Sequence, residues 1–154
     1  MARTSQRPAA ANEVSALQAA LAAEHAAVYG YGVVGAYLSG AALATATSDW
    51  VAHEVARDSL EAMLRSAGQA PVAASVAYRL PHRVHSSAGA MSLAVTLEDR
   101  VATAYLGVVA VTSPKIREFG ARELLATATR AASWRGRTVA FPGFPAGAPA
   151  AARG

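Results

Sequence analysis

The chain has no cysteine. That removes disulfides, thiol nucleophiles and thiolate metal sites, and leaves the compartment open. Charge is scarce as well: Asp, Glu, Lys and Arg make up 16% of the residues, against about a quarter in an average globular chain. Lys115 is the one lysine, so the remaining strong cations are arginines. No five basic residues run together, and no basic strand is interleaved with aromatics. The net charge of +4 therefore reads as a mildly basic surface and disfavours nucleic acid as a partner. Glycine-rich phosphate loops carrying a lysine are absent, as are Gly-x-Ser-x-Gly elbows, which excludes those two routes to chemistry. The first residues, MARTSQRPAAANEV, hold no apolar core ahead of Glu13; they do not read as a secretory leader, and the expected location is cytoplasmic.

What the chain has in abundance is alanine, about a quarter of its 154 residues. Alanine is the strongest helix former, and β-branched runs are few, so the composition points to an all-α fold. At this length one domain can bury a core without staples. The stretch Ala26 to Ser48 holds no charge and is long enough to cross a bilayer. It is built of Ala, Gly, Ser, Thr and Tyr and is broken by Ser39-Gly40, which favours a buried soluble hairpin over a membrane span.

Four helices follow from the spacing of apolar residues. Residues 1–11 read as a disordered Pro/Ala/Arg head, and Asn12 as the N-cap of a first helix running to about Leu38. Val14, Leu17, Leu21, Val28, Tyr31, Gly35 and Leu38 mark its buried stripe. Gly30, Gly32 and Gly35 each cost up to about 1 kcal/mol inside a helix, so close packing is expected there, against helix 2 or a second subunit. Ser39-Gly40 turns the chain into a second helix over 41–67, closed by Gly68 and Pro71. Residues 69–87 have two prolines and no clean period, and form a long connection. A third helix spans about 87–111. Ser113 and Pro114 open a fourth that ends at Gly136. Residues 137–154 form a Pro/Gly/Ala-rich tail, its first half docked on the bundle through Phe141 and Phe144. No internal repeat period stands out. Hairpin, long connection, hairpin is the order of a ferritin-like antiparallel four-helix bundle, here covering residues 12–136.

Polar residues interrupt the stripes at Glu24, His53, Arg57 and Glu98. Ferritin-like di-iron and di-manganese proteins place Glu on two helices and Glu-x-x-His on the other two. This sequence resembles that pattern in part: Glu24 and Glu98 match the lone glutamates, and the other slots read Glu54-Val55-Ala56-Arg57 and Glu123-Leu124-Leu125-Ala126. Four carboxylates have candidates and both motif histidines are missing. The stretches AALAAEHAAVYGYGVVGAYLSG, HEVARDSLEAML, VTLEDRVATAY, ATRAASWRG and FPGF are similar to a family of Ala-rich ferritin-like bacterial proteins with no assigned activity. That resemblance implies the fold and leaves the chemistry open.

Placing the first turn near residue 39 sets Glu24 level with residue 55, beside Glu54, Arg57 and Asp58. The second turn, near residue 113, sets Glu98 level with residue 128, about 7–8 Å along the axis from Glu123 at 1.5 Å per residue. A guanidinium in a histidine slot supplies a fixed positive charge and can grip carboxylates. The expected site is thus a buried ion network of Glu24, Arg57, Asp58, Glu98 and Arg130, with Glu24 on Arg57 and Glu98 on Arg130. No cofactor is expected. The function it implies is a structural, ligand-binding or partner-binding module, forming a homo-oligomer with a dimer favoured. The alternative is a carboxylate-bridged di-iron or di-manganese oxidase or ferroxidase using Glu24, His53, Glu54, Glu98 and Glu123, with Fe or Mn bound. A third class is a mini-ferritin-like DNA binder using the arginine head, which a salt-dependent gel shift abolished by deleting residues 1–11 would detect.

His25 points about a hundred degrees round the helix from Glu24 and makes a poor co-ligand. His53 reads as a hydrogen-bonded core histidine, and His82 and His85 as residues of a solvated loop. If Arg57 were the buried partner of Glu24, Arg57→Ala would cost about 3–5 kcal/mol. A melting temperature within a degree or two of wild type would overturn that pairing.

Overall fold

The computed structural model describes residues 6–144, with side chains from Ala11 onward. Its elements are α1 (Gln6–Gly35), α2 (Gly40–Ser66), α3 (Ser87–Val109) and α4 (Pro114–Arg135), an all-α bundle with its long connection between α2 and α3. Helix α1 begins six residues earlier than Asn12 suggests, so residues 6–11 are helical and not part of a loose head. Pro8 falls in the first turn, where the backbone N–H has no intrahelical acceptor to lose. Residues 1–5 of the expected head lie outside the described residues, as does the arginine side chain at position 7.

The ends of the helices follow local chemistry. Gly68 adopts φ +71 after α2. Gln69 N–H reaches Leu64 O at 2.9 Å and Gly68 N–H reaches Arg65 O at 2.9 Å, a double bond pattern that a left-handed residue makes possible. The Ser86 hydroxyl accepts from Gly89 N–H at 3.2 Å and caps α3. Gly136, at φ +73, stops α4.

Helix α1 packs on α2 and α3, and α3 packs on α4. Glu24 meets His53 while Tyr31 lies near Asp49, so α1 and α2 are antiparallel. Glu24 also meets Tyr105, and Tyr31 meets Glu98, so α1 and α3 are antiparallel too. Helices α2 and α3 must then run the same way, and the connection has to travel the length of the bundle. It does so along α1. The Gln18 amide donates to Ala70 O at 2.7 Å and accepts from Val72 N–H at 2.8 Å, closing on the chain from both sides. His25 Nε2 donates to Val72 O at 3.1 Å, and Tyr29 lies with its ring 5.4 Å from that of Tyr78. Val84 is buried and Leu80 packs beside it in the upper core.

That core comes in two parts. Leu17, Leu21, Leu60, Leu64, Tyr105, Val108 and Phe119 fill one end; Tyr31, Val34, Leu38, Leu93 and Leu97 fill the other. A buried polar layer lies between them. Among the described residues, no helix is long and apolar enough to cross a membrane.

The tail beyond α4 is pinned differently from expectation. Gly143 is buried at φ +83, where a Cβ would sit 2.9 Å from Ala102 O, and its own carbonyl accepts from the Thr103 hydroxyl at 2.6 Å. Phe141 and Phe144 stay more than half exposed and pack edge to face on each other, 6.4 Å apart. A glycine backbone, not two phenyl rings, makes the contact with α3. Residues 145–154 lie outside the described residues.

Glycines inside the helices fall into two kinds. A Cβ on Gly30 would meet Leu97 Cδ1 at 2.6 Å, and one on Gly120 would meet Val108 Cγ1 at 2.7 Å with the Val108 backbone at 3.2 Å. Gly32 has nothing within 4 Å of that position. Two substitutions should therefore move stability in opposite directions. Gly120→Ala gains helix propensity but forces a stiff β-branched neighbour aside, an overpacking cost of about 1–3 kcal/mol. Gly32→Ala is expected to stabilise the monomer by about 0.4–1 kcal/mol. Urea unfolding of the two variants, giving the reverse order, would refute the helix-contact assignment.

Candidate functional site

The polar layer is built on two copies of one spacing. Helix α1 carries Glu24 and Tyr31, and α3 carries Glu98 and Tyr105. In both, the tyrosine follows the glutamate by seven residues, two helical turns on the same face. Because α1 and α3 run antiparallel, each tyrosine reaches across to the other helix's carboxylate. Tyr31 donates to Glu98 Oε1 at 2.5 Å, and Tyr105 donates to Glu24 Oε1 at 2.6 Å. His53 of α2 lies between them, with Nδ1 2.6 Å from Glu24 Oε2 and Nε2 3.0 Å from Glu98 Oε1. Glu24, His53 and Glu98 are completely buried.

From α4, Arg130 donates through Nε to both oxygens of Glu98, at 3.0 and 3.1 Å. Its Nη2 is held by the buried Thr127 hydroxyl at 3.1 Å. Beyond Tyr31 the Trp134 indole N–H is shared between the Tyr31 oxygen at 3.1 Å and Asp49 Oδ2 at 2.8 Å. Carboxylates only accept, so His53 can satisfy both neighbours only by carrying a proton on each ring nitrogen. The centre thus holds two anions, Glu24 and Glu98, and two cations, His53 and Arg130.

The titration behaviour follows from that balance. Burial alone pushes the His53 imidazolium towards neutrality, but the hydrogen bonds and charges of Glu24 and Glu98 outweigh it and raise the group to about 9. Burial likewise works against the Glu98 carboxylate. The bond and charge of His53, with the charge of Arg130, reverse this and hold it below its usual range. Tyr31 and Tyr105 are driven up by burial and by the carboxylates they face, so both remain phenols and donors. Asp49 and Glu123 are raised, mainly by burial; for Glu123 the charge of Glu24 adds to it. The charges of Arg130 and His53 act on both through space and do not offset that burial.

Arg57 is not part of this centre. The buried stripe of α2 runs Asp49, His53, Ala56, Leu60 and Leu64, stepping from 53 to 56, so Ala56 takes the inward slot and Arg57 falls just outside it. Its guanidinium pairs with Asp58 at 2.8 Å and Glu54 at 3.6 Å on a partly exposed face. The expected Glu24–Arg57 pair is replaced by Glu24–His53, and Asp58 and Glu54 both lie outside. Glu123 sits at the edge, half-buried, with no hydrogen bond or ion pair among the described residues. Glu98 meets Arg130, the pairing its height along the axis suggests. Sequence reasoning missed Tyr31, Tyr105, Asp49, Thr127 and Trp134. A signal was present: the offset of 74 that relates the two Glu-x6-Tyr pairs also relates Asp49 to Glu123 and His53 to Thr127.

Metal-holding chemistry does not fit this donor set. A histidine ligand offers a lone pair on one ring nitrogen, and here both ring edges face carboxylates at hydrogen-bond distance. Those carboxylates approach opposite edges of the ring and do not converge on one point. Both oxygens of Glu98 are further engaged by the Arg130 guanidinium. Among the described residues, no group of three or more His, Asp or Glu side chains is arranged to hold a metal ion.

A crossover four-helix bundle with this centre is a ferritin-like protein in which a network of carboxylates, histidine and arginine stands in the place of a metal site. Residues 16–146 match a family described as "Domain of unknown function (DUF4439)", and the chain belongs to that family. It is also similar to the crystal structure of a conserved hypothetical protein, rv2844, from Mycobacterium tuberculosis. The two are 34% identical with a TM-score of 0.80, covering 82% of this chain and 96% of that one. No curated protein gives a significant match.

Three outcomes follow from the geometry. His53→Ala should cost about 3–5 kcal/mol, because it strands two buried carboxylates. Arg57→Ala should cost no more than about 1 kcal/mol, as for other surface pairs. Guanidinium denaturation of both variants, showing Arg57 the costlier, would place the central cation wrongly. The third concerns pH. His53 has a folded value of about 9 against an ordinary 6.5. Its contribution is therefore complete below 6.5 and lost as pH rises through about 9. Glu98, held low, contributes above its ordinary value and loses that contribution as pH falls through the folded one; the raised Asp49 and Glu123 blunt this acid limb. Wild-type stability should decline between pH 7 and 10, and His53→Gln should flatten that limb.

Proposed function

We propose that this chain is a structural, partner-binding bundle whose centre is stabilised by its own cations, and that it acts as a dimer. The observation that carries the reading is the occupation of both His53 nitrogens by Glu24 and Glu98. A ring held on both edges at complete burial has no site for substrate or oxidant. It does lock four helices in one register, since α1, α2, α3 and α4 each contribute a charged or hydrogen-bonding member.

The surface supports the dimer. A groove of about 300 Å³ lies between α1 and α2, lined by Tyr31, Gly32, Gly35, Ala46, Thr47 and Trp50. Gly32 costs helix stability and spares no clash within the chain, and its lack of a side chain leaves room for something seated in that groove. The groove lies within the charge-free stretch Ala26–Ser48 and its flank. On a chain of net charge +4, that is where a second copy approaches with least repulsion.

Two measurements test the proposal. Anaerobic titration of metal-stripped protein with Fe(II) and Mn(II) should show no stoichiometric uptake and no absorbance growing in air; two metals per chain would hand the function to the oxidase reading. Light scattering should give a dimer that Trp50→Glu dissociates. A clean monomer at high concentration would end the dimer, and a dimer indifferent to Trp50→Glu would move its interface elsewhere.

A further inference from the structure

The segment Phe141-Pro142-Gly143-Phe144 after α4 is a tight turn specified by its own residues. Phe144 N–H reaches Phe141 O at 3.3 Å, and Gly143 takes φ +83, a left-handed position that glycine fills without strain and that proline commonly precedes. The buried side of the turn is backbone. The Gly143 carbonyl accepts from the Thr103 hydroxyl, and the Ala102 carbonyl leaves no room for a side chain. With that side fixed on α3, Phe141 and Phe144 are turned outward, each more than half exposed, with their rings edge to face. Neither ring anchors the tail.

The rings belong to a larger apolar face. Pro142 links the turn to two adjoining hollows of about 250 and 240 Å³ on the outer side of α4, which share Leu125, Ala128 and Pro142. Val139 lines the second. Leu125 is 70% exposed and Val139 38%, and no charged side chain lines either hollow. Cations border this face. Arg122 stands three residues before Leu125 on α4, Arg100 three before Thr103 on α3, and Arg137 adjoins Thr138 of the second hollow. All three are exposed. The neighbouring carboxylates are already paired, Asp99 with the largely buried Arg135 at 2.6 Å and Glu118 with Arg122 at 3.6 Å. Arg100 and Arg137 make no ion pair among the described residues. Exposed rings bordered by uncompensated guanidinium groups call for an occupant that is apolar at its centre and anionic around it. An anionic bilayer has both, since aromatic rings settle at the headgroup level and arginines are drawn to its phosphates.

We propose that the face formed by the 141–144 turn and the outer side of α4 docks on an anionic lipid surface, with Phe141 and Phe144 among the headgroups and Arg100, Arg122 and Arg137 on the phosphates. None of these residues lines the groove assigned to the second copy, so the two surfaces are tested separately. The full chain is sedimented with vesicles of equal parts phosphatidylglycerol and phosphatidylcholine, and with phosphatidylcholine alone, at low and high salt. Expected is binding to the anionic vesicles that weakens as salt rises, and little binding to the neutral ones. Phe141→Ser/Phe144→Ser should bind at least about tenfold more weakly, and Arg100→Gln/Arg137→Gln about tenfold more weakly or worse. All four side chains are exposed, so both variants should keep the wild-type melting temperature and the wild-type mass by light scattering. No binding to anionic vesicles at low salt overturns the proposal, as does equal binding to neutral vesicles or binding that both variants retain. A phenylalanine variant whose dimer falls apart would assign the face to a second copy and overturn it as well.

Discussion

One imidazolium between two buried carboxylates is the contact on which this structure depends. Glu24 and Glu98 sit on different helices with complete burial, and neither could remain ionised there without a positive partner at hydrogen-bond distance. His53 provides that partner from a third helix, and Arg130 supports it from the fourth. The height of each helix relative to the others is fixed by these bonds, because sliding any one by a turn would strand a charge in an apolar interior. The apolar clusters above and below supply burial, and many of their members are alanine and leucine, which specify register less strictly than a charge does.

The same constraint shapes the rest of the chain. Antiparallel pairing of α1 with both α2 and α3 obliges the connection to cross the bundle, and α1 receives it on a second face through Gln18, His25 and Tyr29. Adjacent residues thus do unrelated work: Glu24 faces the centre and His25 holds the strap, a hundred degrees away round the helix. Glycine is used where neighbours come close, at Gly30 against the Leu97 side chain, at Gly120 against Val108 and at Gly143 against the α3 backbone.

Much of the fold was legible. Gly68, Gly136 and Pro114 mark helix ends through chemistry that acts within a few residues, and three of the four helices begin and end within two residues of the expected places. The start of α1 was misread because Asn12 is a good cap in isolation, whereas the alanines before it are good helix formers and prolong the helix past it. The tail was misread for another reason. Large aromatics suggest anchoring, yet the close approach to α3 admits only a glycine, and the phenyl rings are left outside.

By itself the sequence determined four helices, their order, the long connection and the presence of ionisable residues in stripes that ought to be apolar. All of these follow from local spacing, and local spacing survives without knowledge of neighbours. Only the tertiary structure decided which cation meets which anion. Arg57 and His53 lie one turn apart on α2, and a small difference in helix rotation determines which of them enters the core. That rotation is set by how α2 packs on α1, so His53 became the central cation and Arg57 a surface one. The crossing of Tyr31 to Glu98 and Tyr105 to Glu24 is of the same kind. Each pair is spaced by two turns within its own helix, but only antiparallel packing of α1 and α3 exchanges the partners.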